Sequence, residues 1–150
     1  MVNTELTLHA VHKGGMRVRV SDGNFDVLMD YPLHADQPTV GPTPLPMLLA
    51  SLAACSANSV IVVLQKMQQP VSQLEVEAHA TRSPLHPTVL LDISLEFIIR
   101  GESVDPAAVA RALQLSEERL CPVWNMLKAS TPIKATFQLR HCLRATAEPL

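Results

Sequence analysis

The chain has 150 residues, a net charge of −2 and an aromatic content of 3%. A chain of this length can bury a single core, so we expect residues 1–150 to form one domain. Lys and Arg form no cluster, and the lack of a basic surface argues against DNA or RNA as a partner.

Cysteine and histidine spacings argue against a secreted or metal-binding protein. The three cysteines are an odd number without CxxC spacing, and the six histidines show no HxxxH or HExxH spacing. The N-terminal residues lack the apolar segment and cleavage site of a signal peptide. We therefore expect a cytoplasmic protein with free cysteines and with no metal or cofactor.

Apolar and polar residues alternate in the first third of the chain, which is typical of half-buried strands. Strands are predicted around Leu6–Ala10, Met16–Val20 and Phe25–Tyr31. Asp22 and Gly23, between the second and third strands, are a strong hairpin signal. The prediction is an antiparallel meander of three strands.

A long helix is predicted after a proline-containing loop. Thr43 supplies a hydroxyl cap and Pro44 suits the first helical position, so the helix runs from there to about Gln68. Its segment Met47–Leu64 is uncharged over 18 residues, which is long enough to cross a membrane. However, four Ala, three Ser and one Asn make this segment only weakly hydrophobic. We therefore expect the buried centre of a soluble protein, with no membrane partner.

The second half of the chain predicts two strands, two helices and a final strand. Alternation over residues 74–80 and 91–99 indicates a pair of strands, and alternation over Ile133–Cys142 indicates the last one. Strands and helices are grouped along the chain, which favours an α+β fold with mainly antiparallel pairing.

The two helices of the second half are predicted to be separated at Cys121. Asp105 and Pro106 open the first helix by the same combination of cap and proline. Its apolar face is predicted at Val109, Leu113 and Leu120. A residue before proline disfavours the helical conformation, so Cys121 is expected at a break and Pro122 at the start of a short helix through Lys128.

Cys121 allows two interpretations. At the cap of a helix, its thiol would face unpaired backbone N–H groups and the positive end of the helix dipole, which lower a thiol pKa. Alternatively, Cys121 is a small residue packed at a helix junction. Cys142 lies on the polar side of the last strand, and we expect no role for it.

Cys55 lies about eleven residues into its helix, beyond the reach of the helix dipole. Burial among alanines would raise its pKa and make it less reactive. A structural disulfide to Cys121 would close a loop of about 66 residues and contribute roughly 4 kcal/mol, but such a bond is seldom kept in the cytoplasm. The small residues of Ala50–Ser59 let another backbone approach, either a second copy of the helix or a strand of the same chain.

The chain resembles the OsmC/Ohr family, and most closely its OsmC-like branch, in two segments. These segments are GPTPLPMLLASLAACSANSVIVVLQKM and EERLCPVWNMLKASTPIKATFQL. The resemblance covers nearly the whole chain. It implies an α+β fold in which antiparallel sheets wrap around a long buried central helix, in an intertwined homodimer.

The resemblance also implies thiol-dependent reduction of organic hydroperoxides, in defence against oxidative stress. Cys55 would be the peroxidatic cysteine and Cys121 the resolving one, with a dithiol reductant reopening their disulfide. The oxidation chemistry of cysteine agrees, because a neighbouring thiol captures a sulfenic acid before it oxidises further. The alternative is a non-catalytic or weakly active relative that binds an apolar small molecule in its dimer cleft.

The chain departs from the family at one point of the site. Active members place a glutamate near the start of the central helix, paired with an arginine from an early strand. The matching positions here are Leu45 and Pro46, which carry no carboxylate. Arg17 and Arg19 are the candidates for the arginine, and both also fit an exposed strand face.

Overall fold

The computed structural model describes residues 4–141. Backbone contacts divide the chain into two compact units, Met1–Leu48 and Leu49–Leu150. The predicted order of three strands, a helix, two strands, two helices and a strand is confirmed. The strands are β1 (His9–His12), β2 (Val18–Ser21), β3 (Asp26–Met29), β4 (Val71–Arg82), β5 (Leu90–Gly101) and β6 (Ile133–Arg140), and the helices are α1 (Pro44–Lys66), α2 (Pro106–Leu115) and α3 (Pro122–Leu127).

The first unit contains the predicted antiparallel meander of β1, β2 and β3. Gly23 has a φ of 93°, and the Asp22 carboxylate accepts backbone N–H groups from the two residues that follow Gly23. The predicted start of β1 is wrong, because pairing begins at His9 opposite Ser21. Beyond that pair β2 gives way to the turn, so no partner remains for Leu6, which is 90% exposed.

Hydrogen bonds connect the loop after β3 to the residue that follows that strand. Asp30 is buried, its carboxylate accepts the N–H of Val40 at 3.1 Å, and its own N–H donates to the Pro42 carbonyl at 3.2 Å. A Cβ at Gly41 would overlap the Leu28 carbonyl. The glycine that precedes the proline-rich helix start is therefore needed for close backbone approach.

The second unit contains the sheet of β4, β5 and β6. β4 and β5 are long antiparallel neighbours, whereas β5 and β6 are parallel. Parallel neighbours need a long crossover, and α2 and α3 lie within that connection. The sheet is therefore mixed, which departs from the expectation of antiparallel sheets at this one pairing.

One face of α1 lies in the core of the second unit. The buried residues follow helical spacing and are Leu52, Ser56, Val60, Val63 and Leu64. The four apolar ones share a cluster with apolar residues of β5, α2 and α3. The opposite face stays exposed in the single chain, so burial of α1 on both faces remains a prediction.

α1 begins at Pro44 as predicted and ends two residues before the predicted Gln68. Gln68 has a φ of 56°, and the N–H of Gln69 donates to the Leu64 carbonyl at 2.9 Å, which closes the helix end. By length and composition alone α1 could also cross a membrane, because an 18-residue stretch of it has a mean hydropathy of 2.1. A core helix passes the same test, so the lack of a membrane partner stays a prediction.

α2 continues into a π-helical turn over Ser116–Leu120 before the chain breaks at Cys121. The Asp105 carboxylate caps α2 by accepting the N–H of Ala107 at 2.9 Å, as predicted. The prediction that Leu120 belongs to the apolar face of α2 is wrong, since this side chain is 46% exposed. The wider π turn shifts the helical period, so Leu120 no longer aligns with the buried Val109.

Candidate functional site

Cys121 occupies the cap position of α3, as its place before Pro122 predicts. Its backbone is extended, with φ of −91° and ψ of 103°, and its Sγ accepts the backbone N–H of Trp124 at 3.4 Å. The side chain is completely buried. The cap therefore places a sulfur against a backbone N–H of the helix start that has no partner within the helix.

Cys55 brings a second thiol to the same place. It lies on α1, is half-buried, and packs against the core of the second unit. Its thiol is a hydrogen-bonding neighbour of the Cys121 thiol and of the Val123 backbone N–H. The first turn of α3 therefore presents one backbone N–H to each sulfur.

Burial raises the pKa of the Cys55 thiol. The hydrogen bond with the Cys121 thiol and the charge of that sulfur raise this pKa further, whereas the Val123 N–H lowers it. A raised pKa means that the folded protein holds this proton more tightly than the unfolded chain. The resulting stabilisation is present below the ordinary thiol pKa and is lost as pH rises through the raised value.

Three serines line the contact between α1 and the segment that leads to Cys121. The Ser56 hydroxyl lies 3.6 Å from the Cys121 Sγ. The Ser59 hydroxyl donates to the Ser56 carbonyl at 2.9 Å and lies 2.6 Å from the Ser116 hydroxyl. The Ser116 carbonyl in turn accepts the Cys121 N–H at 3.0 Å.

Both candidate arginines lie in the first unit, and each has a carboxylate partner there. Arg17 precedes β2, and its Nε lies 3.5 Å from the carboxylate of the buried Asp30. Arg19 lies within β2, and its Nε lies 3.3 Å from the carboxylate of Asp26, with both side chains about half exposed. The two pairs differ in burial, because Asp30 is buried whereas Arg17, Arg19 and Asp26 are each about half exposed.

Leu45 and Pro46 lie in the first turn of α1, and that turn contains no acidic residue. The carboxylate expected from the family is therefore missing from this place in the structure as well as in the sequence. Within residues 4–141, His, Cys, Asp and Glu form no group of three that could hold a metal ion. Cys142 lies outside the described residues.

Comparison with known families decides the relationship of the chain. The profile of the family described as OsmC-like protein matches residues 34–136, which is more than half of the chain. The chain belongs to the OsmC-like family. Protein YhfA of Escherichia coli strain K12 is 37% identical over 98 residues, which cover 65% of this chain and 73% of that protein.

Solved structures show the OsmC-like fold for this chain. An OsmC-like protein from Mycoplasma pneumoniae superposes with a TM-score of 0.79 and 20% identity, covering 93% of this chain and all of that one. The organic hydroperoxide resistance protein OhrB of Bacillus subtilis superposes with a TM-score of 0.63 and 17% identity, covering 88% of this chain and 96% of that one. At these identities the similarity establishes the α+β fold alone.

Sequence reasoning predicted a backbone N–H at the Cys121 cap, but it missed the serine contacts and the Val123 N–H beside Cys55. The available signal was Ser56, which stands on the buried stripe of α1 between Leu52 and Val60. A buried hydroxyl needs a hydrogen-bond partner. Its position on this stripe therefore indicated that another polar group meets α1 beside Cys55.

We predict that Cys121→Ser lowers the pH midpoint for alkylation of Cys55, because the second sulfur raises the pKa of the first. Serine does not titrate in this range and still caps α3. The rate of iodoacetamide labelling is measured against pH in a Cys142→Ser background, with the labelled site identified by mass spectrometry. An unchanged or higher midpoint would contradict the contact between the two thiols.

Proposed function

We propose that this OsmC-like protein reduces organic hydroperoxides through a two-cysteine cycle, as a thiol peroxidase of the cytoplasm that serves defence against oxidative stress. The observation that supports the proposal is the direct neighbourhood of the Cys55 and Cys121 thiols at the start of α3. The names of related proteins agree, since the Bacillus subtilis structure with this fold is an organic hydroperoxide resistance protein.

Cys55 is the peroxidatic cysteine in this proposal because a substrate can reach its half-buried side chain, whereas Cys121 is completely buried. The Cys55 thiolate attacks one oxygen of the hydroperoxide and breaks the O–O bond. Cys55 becomes a sulfenic acid, and the remaining alkoxide takes up a proton and leaves as the alcohol. The sulfur is oxidised by two electrons and the peroxide is reduced by two.

Cys121 is the resolving cysteine. Its thiolate attacks the sulfur of the Cys55 sulfenic acid, forms the disulfide and displaces hydroxide, which takes up a proton and leaves as water. A dithiol reductant then attacks the disulfide, returns both cysteines to the thiol state and is itself oxidised. Each cycle consumes one hydroperoxide and one dithiol.

Arg17 is the arginine that we propose to assist the reaction, with Arg19 as the lesser candidate. The carboxylate that pairs with Arg17 is buried, whereas the carboxylate that pairs with Arg19 is exposed. An ion pair between exposed side chains contributes little to positioning. An arginine held from a buried carboxylate presents its remaining N–H donors in a defined direction.

The protein is proposed to act as an intertwined homodimer in which the α1 helices pack together between sheets of both chains. The exposed stripe of α1 carries small or uncharged side chains at helical spacing: Ala50, Ala54, Asn58 and Val62. Small residues allow two helix backbones to approach closely, and a two-fold axis would pair the stripe with its own copy.

The alternative is a non-catalytic or weakly active protein that binds an apolar small molecule in the dimer cleft. The raised pKa of Cys55 favours this alternative, since the thiol and not the thiolate then predominates at neutral pH. The missing carboxylate at Leu45 and Pro46 favours it as well. Measured peroxide consumption separates the two functions.

We expect the wild-type protein to consume cumene hydroperoxide in the presence of a dithiol, and Cys55→Ser to fall to the uncatalysed rate. Cys121→Ser should oxidise once and then accumulate Cys55 sulfinic acid, because no thiol captures the sulfenic acid. Cys142→Ser is the matched control and should retain wild-type activity. Equal rates for wild type and Cys55→Ser would exclude the peroxidase.

The two arginines can be separated by matched substitutions. Arg17→Gln is expected to lower the peroxidase rate by about tenfold or more, which is the loss of one charge-assisted hydrogen bond in the transition state. Arg19→Gln should leave the rate within about twofold, because its ion pair is exposed. Initial rates with cumene hydroperoxide provide the measurement. The opposite ranking would transfer the role to Arg19.

The dimer is tested by placing a charge in the exposed stripe of α1. We expect wild type to sediment as a dimer at micromolar concentration and Ala54→Glu to sediment as a monomer, since two carboxylates would meet at the contact. Ala110→Glu places the same charge on an exposed position of α2 and should leave the dimer intact. A wild-type monomer would refute the proposed assembly.

A further inference from the structure

We infer that Ser56 is a positioning residue for Cys121, and that its hydroxyl stabilises the Cys121 thiolate. Its role in the cycle rests on the proposed function. Ser56 and Cys121 are both completely buried, and their Oγ and Sγ atoms lie 3.6 Å apart. The backbone N–H of Trp124 contacts the same sulfur at 3.4 Å.

The direction of the hydrogen bond follows from the protonation state of the sulfur. In the neutral pair either group can donate, but a thiolate has no hydrogen, so only the Ser56 hydroxyl can donate to it. The Cys121 thiolate therefore accepts one hydrogen bond from Ser56 and one from the Trp124 N–H. Two donors within a buried site replace the water that the charged sulfur would otherwise require.

The neighbouring serines carry out a different task. The single hydroxyl hydrogen of Ser59 is used in donating to the Ser56 carbonyl, so Ser116 must donate in the contact between their hydroxyls. This pair links α1 to the π-helical turn, and within residues 4–141 the hydrogen bonds of the two hydroxyls are to oxygen. Ser59 is therefore a matched control for Ser56, with an equally polar contact on the same helix.

Ser56 would act twice in the cycle. In the resolving step it holds the Cys121 thiolate that attacks the sulfenic sulfur of Cys55, and hydroxide leaves that sulfur to become water. In the reductive step the dithiol attacks Cys55, the more accessible sulfur, and the electron pair of the S–S bond returns to Cys121. The leaving group is again the thiolate that Ser56 stabilises, and a stabilised thiolate leaves faster.

The experiment measures the ionisation of Cys121 without any peroxide. Cys55→Ser combined with Cys142→Ser leaves Cys121 as the only thiol, and its thiolate is titrated by ultraviolet absorbance. Adding Ser56→Ala is expected to raise the midpoint by about one pH unit, a tenfold change in the ionisation constant. Ser56→Gly removes the same hydroxyl and should shift the midpoint in the same direction.

Two further variants separate this chemistry from a structural effect. Ser56→Thr keeps a hydroxyl and should restore the midpoint of Cys121 ionisation. Ser59→Ala should lower the stability of the protein and leave this midpoint unchanged. Circular dichroism confirms that each variant is folded. An unchanged midpoint in Ser56→Ala and Ser56→Gly, or an equal shift in Ser59→Ala, would overturn the inference.

The peroxide reaction then tests the role in the cycle. In the three-cysteine protein, Ser56→Ala should slow disulfide formation at neutral pH by about threefold, because the loss of thiolate is partly offset by its greater nucleophilicity, and it should increase the sulfinic acid product. If no variant consumes hydroperoxide while the midpoint still shifts, the proposed function fails and the contact between Ser56 and the thiolate stands. If hydroperoxide is consumed and the midpoint does not shift, the proposed function stands and the inference about Ser56 fails.

Discussion

The contact between the start of α3 and the side of α1 is the constraint on which the rest of the site depends. Pro122 ends one helix and begins another, which exposes backbone N–H groups at Cys121. The small side chains around Cys55 let this helix start come close to α1. Without that approach the two thiols would not be neighbours, and the proposed cycle would have no resolving cysteine.

Two thiols in one buried place cannot ionise independently. A negative charge on one sulfur opposes ionisation of the other, and the hydrogen bond with the Cys121 thiol raises the pKa of Cys55. Cys55 is nevertheless the more accessible sulfur, because it is half-buried whereas Cys121 is completely buried. The more accessible sulfur is therefore the one whose thiol pKa is raised. This division suits a resolving role for Cys121.

Local sequence rules predicted the features that proline and capping residues determine. Pro44, Asp105 and Pro122 placed the helix starts correctly. Leu120 was misplaced because a π turn leaves no simple residue pattern. The meeting of Cys55 with Cys121 could not be derived locally, since 66 positions separate them in sequence. That expectation came from the family resemblance, and the serine contacts became visible only in three dimensions.

The missing glutamate changes what can activate Cys55. Pro46 removes both a carboxylate and an N–H from the first turn of α1, so this helix start offers no acidic partner to an arginine. Arg17 instead pairs with Asp30 at the end of β3, through its Nε. Such a pair is neutral as a whole, so it lowers a thiol pKa less than a lone cation would. In the proposed reaction, Arg17 would act through the direction of its remaining N–H donors, because stabilisation of developing charge depends on direction more than on net charge.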